Sequence, residues 1–243
     1  MTHGMLGTGI LRAPVFTRSA ASDSANARED GVELGNLGAG WNPENFAREQ
    51  IRGLVRQIFF SDAIRPTRQV VFCALEAETE VRSICRRVGE ALAPQITGRV
   101  AVVGPYPQVI QDAEKQSAGA PQEDRNTPLG TVATRVRGNL WLVPDGARDC
   151  RTGPSASWSS FLGDVRSEFE YSIVQGPVAG ESDEATVVAQ AADGIILVLS
   201  ADRTRRATAR RVKEALTAAH ANILGTVLSD REFPVPAAIY RRL

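Results

Sequence analysis

Three glutamates, Glu76, Glu78 and Glu80, alternate along a short loop that joins the apolar run Val70–Ala74 to a helical pattern ending near Leu92. A strand, a loop and a helix in that order can grip a phosphate chain. Such a grip needs glycines that let the backbone come close and a lysine that reaches the outer phosphates. The loop here reads Glu76-Ala77-Glu78-Thr79-Glu80-Val81-Arg82 and has neither. At about 5 Å and an effective dielectric near 20, each carboxylate facing a phosphate charge costs roughly 3 kcal/mol. The loop is therefore expected to repel a nucleotide, and no cofactor is expected in it.

Two rescues are conceivable from the residue types. Arg82 stands two positions beyond the slot for the lysine and could aim its guanidinium at a phosphate, although the three carboxylates would remain beside it. Glu76, Glu78 and Glu80 could instead hold a hard cation through oxygen ligands, but a solvated acidic loop without metal is the expectation. No hydrolytic constellation offers another route. The histidines are His3, near the start, and His220, close to the end of a helical pattern where a cation suits the helix dipole. Neither has metal-ligand company, and without a positioned base no nucleophile or other catalytic residue can be nominated. Cys73, Cys85 and Cys150 are too few and scattered for a disulfide frame or a zinc site; the first two fall on apolar patterns and read as small core residues.

One stretch favours binding. Arg203, Arg205, Arg206, Arg210, Arg211 and Lys213 follow one another with no acid until Glu214, apart from Asp202 just before them. Such a basic helix start could meet anionic lipid headgroups or an acidic protein surface, although a charged helix face is often simply solvated.

The elements that position these residues follow from periodicity. Asn42 and Pro43 suit the start of a helix, and Ala47, Ile51, Leu54, Val55, Ile58 and Phe59 then form one apolar stripe. Beyond it, six β-rich runs are expected as strands: Val70–Ala74, Val100–Val103, Asn139–Val143, Ser172–Val174, Ile195–Leu199 and Ile223–Leu228. Helical patterns lie between them, one through Val81, Ile84, Cys85, Val88 and Leu92, another through Trp158, Phe161, Leu162, Val165 and Phe169, and a third through Val212, Leu216 and Ala219. Near-continuous apolar strands separated by helices imply an α/β fold, a largely parallel, doubly wound sheet covered on both faces. Ligands of such sheets sit at the carboxyl ends of the strands.

Residues 1–40, rich in Gly, Ala and Ser, read as a flexible tail, and 41–243 as a single α/β domain with an exposed polar loop over Gln111–Asn126. The 243 residues, 43% of them hydrophobic, are enough for a sizeable core. Lys plus Arg and Asp plus Glu each number 28, so the charge balance points to no nucleic-acid partner. No apolar run reaches the roughly 20 residues that span a bilayer, and the start lacks the pattern of a secretory signal. A cytoplasmic protein is expected.

The order of elements resembles a known family. Glu49-Gln-Ile-Arg52-Gly-Leu54, then Ile58-Phe59-Phe60 and the strand Val70-Val71-Phe72, is similar to the opening of the bacterial tyrosine kinases of capsule and exopolysaccharide assembly, P-loop ATPases related to the MinD/ParA group. Pro177-Val178, Ser182-Asp183, Ala192-Asp193-Gly194-Ile195-Ile196-Leu197-Val198, Thr204 and Leu224-Gly225-Thr226-Val227-Leu228 follow that family's order and spacing, as does Asn139-Leu140-Trp141-Leu142-Val143-Pro144 with Gly146. The resemblance covers Asn42 to Tyr240 and implies a P-loop NTPase-like domain. It also implies an oligomer-forming first helix, in which Glu49 and Arg52 match and Val55, with Arg56 beside it, replaces the last arginine.

The departures fall on the nucleotide-handling positions. Residues 76–82 replace the phosphate loop, and Val102-Val103-Gly104-Pro105-Tyr106 stands where a pair of aspartates should manage magnesium. Gln175-Gly176-Pro177 replaces a third aspartate, Ser229 an adenine-facing asparagine, and Tyr240 alone remains of the C-terminal tyrosine cluster. Phosphoryl transfer rests on positioning and charge stabilisation around the phosphates, so losing these parts together leaves no mechanism. The resemblance thus implies a non-catalytic regulator or scaffold of polysaccharide synthesis and export. It would lie peripherally at the inner membrane, contacting a membrane-spanning chain-length regulator or a polymerase and export complex. The rivals are an active ATP- and Mg-dependent tyrosine autokinase or ATPase, and a MinD/ParA-like localisation factor. Asp183, near the nucleotide pocket in the family, reads more simply as a helix N-cap.

Overall fold

The computed structural model describes residues 13–18, 43–61, 66–106, 129, 132–145, 158–181 and 183–231. In chain order the elements are β1 (Ala13–Arg18), α1 (Pro43–Phe59), β2 (Gln69–Ala74), α2 (Arg82–Leu92), β3 (Val100–Gly104), β4 (Thr134–Arg137), β5 (Leu140–Pro144), α3 (Trp158–Glu168), β6 (Tyr171–Gln175), α4 (Glu184–Ala191), β7 (Gly194–Ser200), α5 (Arg206–Ala218) and β8 (Ile223–Arg231). The strands form one sheet in the order β1-β8-β7-β2-β6-β3-β5-β4.

The six apolar runs are the six inner strands, and every pairing among them is parallel. All residues of β2 and β3 are buried, because helices cover both faces of the sheet. Alternate residues choose between the two layers. Val70, Phe72, Val102, Ile173 and Ile196 pack with the α1 and α2 side chains Ile51, Leu54, Val55, Ile84 and Val88. Val71, Cys73, Val103, Val174, Ile195 and Leu197 pack with Phe161, Leu162, Val188, Val212 and Leu216 of the other three helices. Each fully buried side chain such as Phe72 or Ile173 contributes about 2 kcal/mol.

Two strands were not expected. β4 reads Thr-Arg-Val-Arg, with only Thr134 buried, so it lacks the apolar alternation that marks a strand. It pairs antiparallel with β5 across the Gly138-Asn139 turn, where Gly138 takes φ 55°. Arginines on such an edge discourage further strand pairing. Asn139, expected within the strand, sits in that turn and donates from Nδ2 to the carbonyls of Ile96 (3.1 Å) and Gly98 (2.6 Å), which fixes the start of β5 beside β3. β1 corrects the reading of residues 1–40 as a tail throughout: Ala13–Arg18 pairs antiparallel with β8, Val15 opposite Leu228. The rest of that stretch, Asn42, the loop Gln111–Asn126, Cys150 and Tyr240 lie outside the described residues.

α5 ends at Ala218, close to the expected end. His220 lies beyond its last turn at φ 59°, donating its backbone N–H to Thr217, while the Ala221 N–H returns to Leu216. This closing motif favours glycine. The position of His220 therefore serves the backbone turn.

Candidate functional site

The acidic loop leaves the carboxyl end of β2 at the middle of the sheet, with β7 on one side and β6 on the other. Its base is tightly held. Leu75, 2% exposed, donates its N–H to Val198 O (3.2 Å), and the segment after β6 crosses beneath through Gly176 N to Phe72 O (2.9 Å) and Ala179 N to Ala74 O (2.8 Å). Gly180 lies so near the carbonyl of Leu75 that an added Cβ would sit 2.3 Å from it, so only glycine allows this approach.

The loop then closes on itself. Thr79 N donates to Glu76 O (3.1 Å), and Thr79 is buried. Glu76 turns toward the segment before α5, where its Oε2 accepts from Thr204 Oγ1 (3.1 Å), an oxygen that also accepts from Ser200 N (2.9 Å). Glu80 turns the other way. Its Oε1 accepts from Ser83 N (3.1 Å), in the first turn of α2, where no other side-chain cap is found. The amino end of a helix is where an anion gains most from free N–H groups and the helix dipole. Here the chain's own carboxylate takes that place. Ala77 and Glu78 are exposed, Val81 is buried beside Ile84 and Cys85, and Arg82 is exposed as the first residue of α2.

The three glutamates thus point apart. Among the described residues, no group of three His, Cys, Asp or Glu side chains could hold a metal ion. Glu78 and Glu80 are exposed, as expected of a solvated acidic loop, while Glu76 is half-buried against Thr204, and of the three only Glu78 is free of a partner among the described residues.

Beside the loop, Gly104, Tyr106 and Gln175 meet. A Cβ at Gly104 would lie 3.2 Å from both Gln175 Oε1 and the Tyr106 ring, so the missing side chain is what lets the other two approach. Tyr106 is 7% exposed and packs in the α1/α2 layer of the core. Its hydroxyl and Gln175 Oε1 are buried without hydrogen-bond partners among the described residues. Burial pushes the Tyr106 phenol well above its ordinary range, helped by Cys85 and opposed by Arg82 and Arg86. Burial likewise drives the Cys73 thiol up to about 12 and the Cys85 thiol higher still. Neither thiol is a nucleophile near neutral pH. Sequence reasoning had noted Tyr106 only for the carboxylate it lacks, and an aromatic residue straight after an apolar strand is the one signal that it fills space.

The remaining site expectations separate by location. Asp183 precedes α4, but its backbone is already helical and its side chain makes no cap bond, so the N-cap reading is corrected. On α1, Glu49 and Arg52 pair with each other at 2.6 Å, both well exposed, while Val55 is fully buried in the core and Arg56 is exposed. The inner side of α1 covers its own sheet and the outer side carries these charges. Arg203, Arg205, Arg206, Arg210, Arg211 and Lys213 are all exposed.

No family model and no curated protein matches the chain. Solved structures do match. The chimerical protein CapA2B2 superposes with a TM-score of 0.57 at 13% identity, over 76% of this chain and 85% of that one. The kinase domain of the Escherichia coli tyrosine kinase ETK gives 0.56 at 14% identity over 79% of each chain. The VpsO kinase domain gives 0.55 at 14% identity, over 76% of this chain and 96% of its own. The chain has the α/β, P-loop-like fold of bacterial tyrosine kinase domains.

Proposed function

We propose that this chain is a non-catalytic regulatory or scaffolding protein of exopolysaccharide or capsule synthesis and export, working by protein contacts in place of phosphoryl transfer. One observation carries this reading: the carboxylate of Glu80 sits on the first turn of α2, the place a phosphate would need. Glu76 is tied to Thr204, and the neutral Gln175, Gly104 and Tyr106 stand where metal-binding carboxylates are implied by the resemblance. Among the described residues no group of three His, Cys, Asp or Glu side chains is gathered to hold the magnesium that phosphoryl transfer needs.

The pathway follows from the kinase resemblance and the shared fold. Among the described residues no helix is long and apolar enough to cross a membrane, so contact with the export machinery falls to a membrane-spanning partner, a chain-length regulator or a polymerase and export component. The exposed face of α1, with Glu49, Arg52 and Arg56, is the surface for that partner or for a second copy of the chain. The Glu49–Arg52 pair is worth at most about 1 kcal/mol in the free protein, so exchanging it for contacts across an interface costs little.

Co-purification from native membranes tests the reading. Recovery of a membrane-spanning polysaccharide export component, equally with and without Mg-ATP, is expected. Recovery that requires ATP, or phosphotyrosine accumulating on the chain in its presence, contradicts the proposal.

A further inference from the structure

α5 carries a charge pattern that the contact role of α1 does not use. Its inner side is anchored by Val212 and Leu216, both buried against the sheet. Its outer side and the turn before it present Arg203, Arg205, Arg206, Arg210, Arg211 and Lys213, every one exposed. None of the six forms an ion pair with a described residue; the pairs found there are Arg52–Glu49, Arg86–Glu90 and Arg166–Asp193. The first turn of α5 holds no acid and no side-chain cap, so the helix dipole adds positive potential at the same end. Arg206, Arg210 and Arg211 line one open concavity with Ala207 and Glu214.

The surroundings of α5 help to choose the occupant. Gln190 of α4 reaches the carboxyl end of α5 through Nε2 to Ala219 O (2.8 Å). Val187, one turn earlier on α4, is an apolar side chain left 47% exposed. Nucleic-acid binders are commonly basic overall, whereas this chain has a sequence pI near 6.8. A protein hot spot would centre on buried aromatic anchors, and residues 203–213 contain no aromatic residue. A cluster of four to eight basic residues on an amphipathic helix is the pattern that fits the headgroup plane of an anionic bilayer.

We infer that the exposed face of α5, from Arg203 to Lys213, docks directly on an anionic phospholipid surface. The contact is electrostatic and superficial: the arginines meet lipid phosphates, and Val212 and Leu216 stay in the protein core. It orients the domain on the membrane independently of nucleotide and of any protein partner.

The test is sedimentation of the full chain with protein-free vesicles of phosphatidylcholine, with and without phosphatidylglycerol. Binding is expected only to the anionic vesicles, and raised salt should release it. The triple reversal Arg206→Glu, Arg210→Glu, Arg211→Glu should weaken it roughly a hundredfold. Circular dichroism checks that this variant is folded, and the reversal Arg87→Glu on the exposed side of α2 should leave binding unchanged. Equal sedimentation with neutral and anionic vesicles overturns the inference. So does no sedimentation with either, or a triple variant that is folded and binds like the parent. A chain that ignores the vesicles but is retained on acidic protein or duplex DNA also overturns it. Because the vesicles contain no protein, none of these outcomes bears on the partner-binding role proposed above.

Discussion

The two ends of β2 have met opposite fates. At its amino end, Asp193 accepts from Arg68 N (2.9 Å), Gln69 N (2.8 Å) and Arg166 (2.8 Å), while Gln69, 1% exposed, donates to Leu162 O and accepts from Arg166. That network joins β2, β7 and α3 with its polar groups met. At the carboxyl end, Glu76 and Glu80 hold one bond each, Glu78 none, and Gln175 Oε1 and the Tyr106 hydroxyl are buried without partners among the described residues. Unsatisfied buried groups are rare in native proteins. Two of those found among the described residues, Gln175 Oε1 and the Tyr106 hydroxyl, lie at the end of the sheet where α/β ligands sit, and others, such as Glu168 Oε2, lie elsewhere. The contrast teaches that the amino end of β2 is locked by a charge-assisted network, whereas its carboxyl end carries an acidic loop whose three glutamates point apart.

If the carboxyl end is sealed, the thiols beneath the loop must stay dry. Burial raises Cys73 from its ordinary 9.0 to about 12 and raises Cys85 further, so folding favours their protonated forms. The stabilisation is complete below about pH 8.5, where the unfolded thiols are still protonated, and is lost as pH climbs from there through the folded values. The expected loss is about 1 kcal/mol per pH unit for each thiol, read from urea midpoints, with the Tyr106 phenol adding to it above about pH 10. The double variant Cys73→Ala, Cys85→Ala should show a flatter dependence. A flat profile in the parent chain would mean that water reaches beneath the loop, and the contrast between the two ends would weaken.

Matched substitutions sharpen it further. Asp193→Ala strips three charge-assisted bonds from the amino end and should cost about 3 kcal/mol in urea denaturation. Glu80→Ala removes one exposed cap from α2 and should cost only about 0.5–1 kcal/mol. Similar losses from both would show that the acidic loop is as structural as the Asp193 network.

Much of this was legible in the sequence. The six inner strands declared themselves because burial on both faces demands unbroken apolar runs, and Val55 sat on the apolar stripe that α1 turns inward. β4 was hidden because three of its four side chains face solvent and two are arginines. The absence of glycine and lysine from residues 76–82 was plain, but where the carboxylates go was not. Glu76 meets Thr204, 128 residues away, and only the fold creates that contact. Glu80 is three residues before Ser83, a spacing that allows a cap without announcing one, and Asp183 shows the converse, an ordinary capping residue that does not cap.

The central claim is that the first turn of α2 is already occupied by the chain's own carboxylate and cannot accept a triphosphate. Isothermal titration of the full chain with Mg-ATP tests it most directly. The account predicts no saturable heat, while micromolar binding abolished by Arg82→Ala would contradict it.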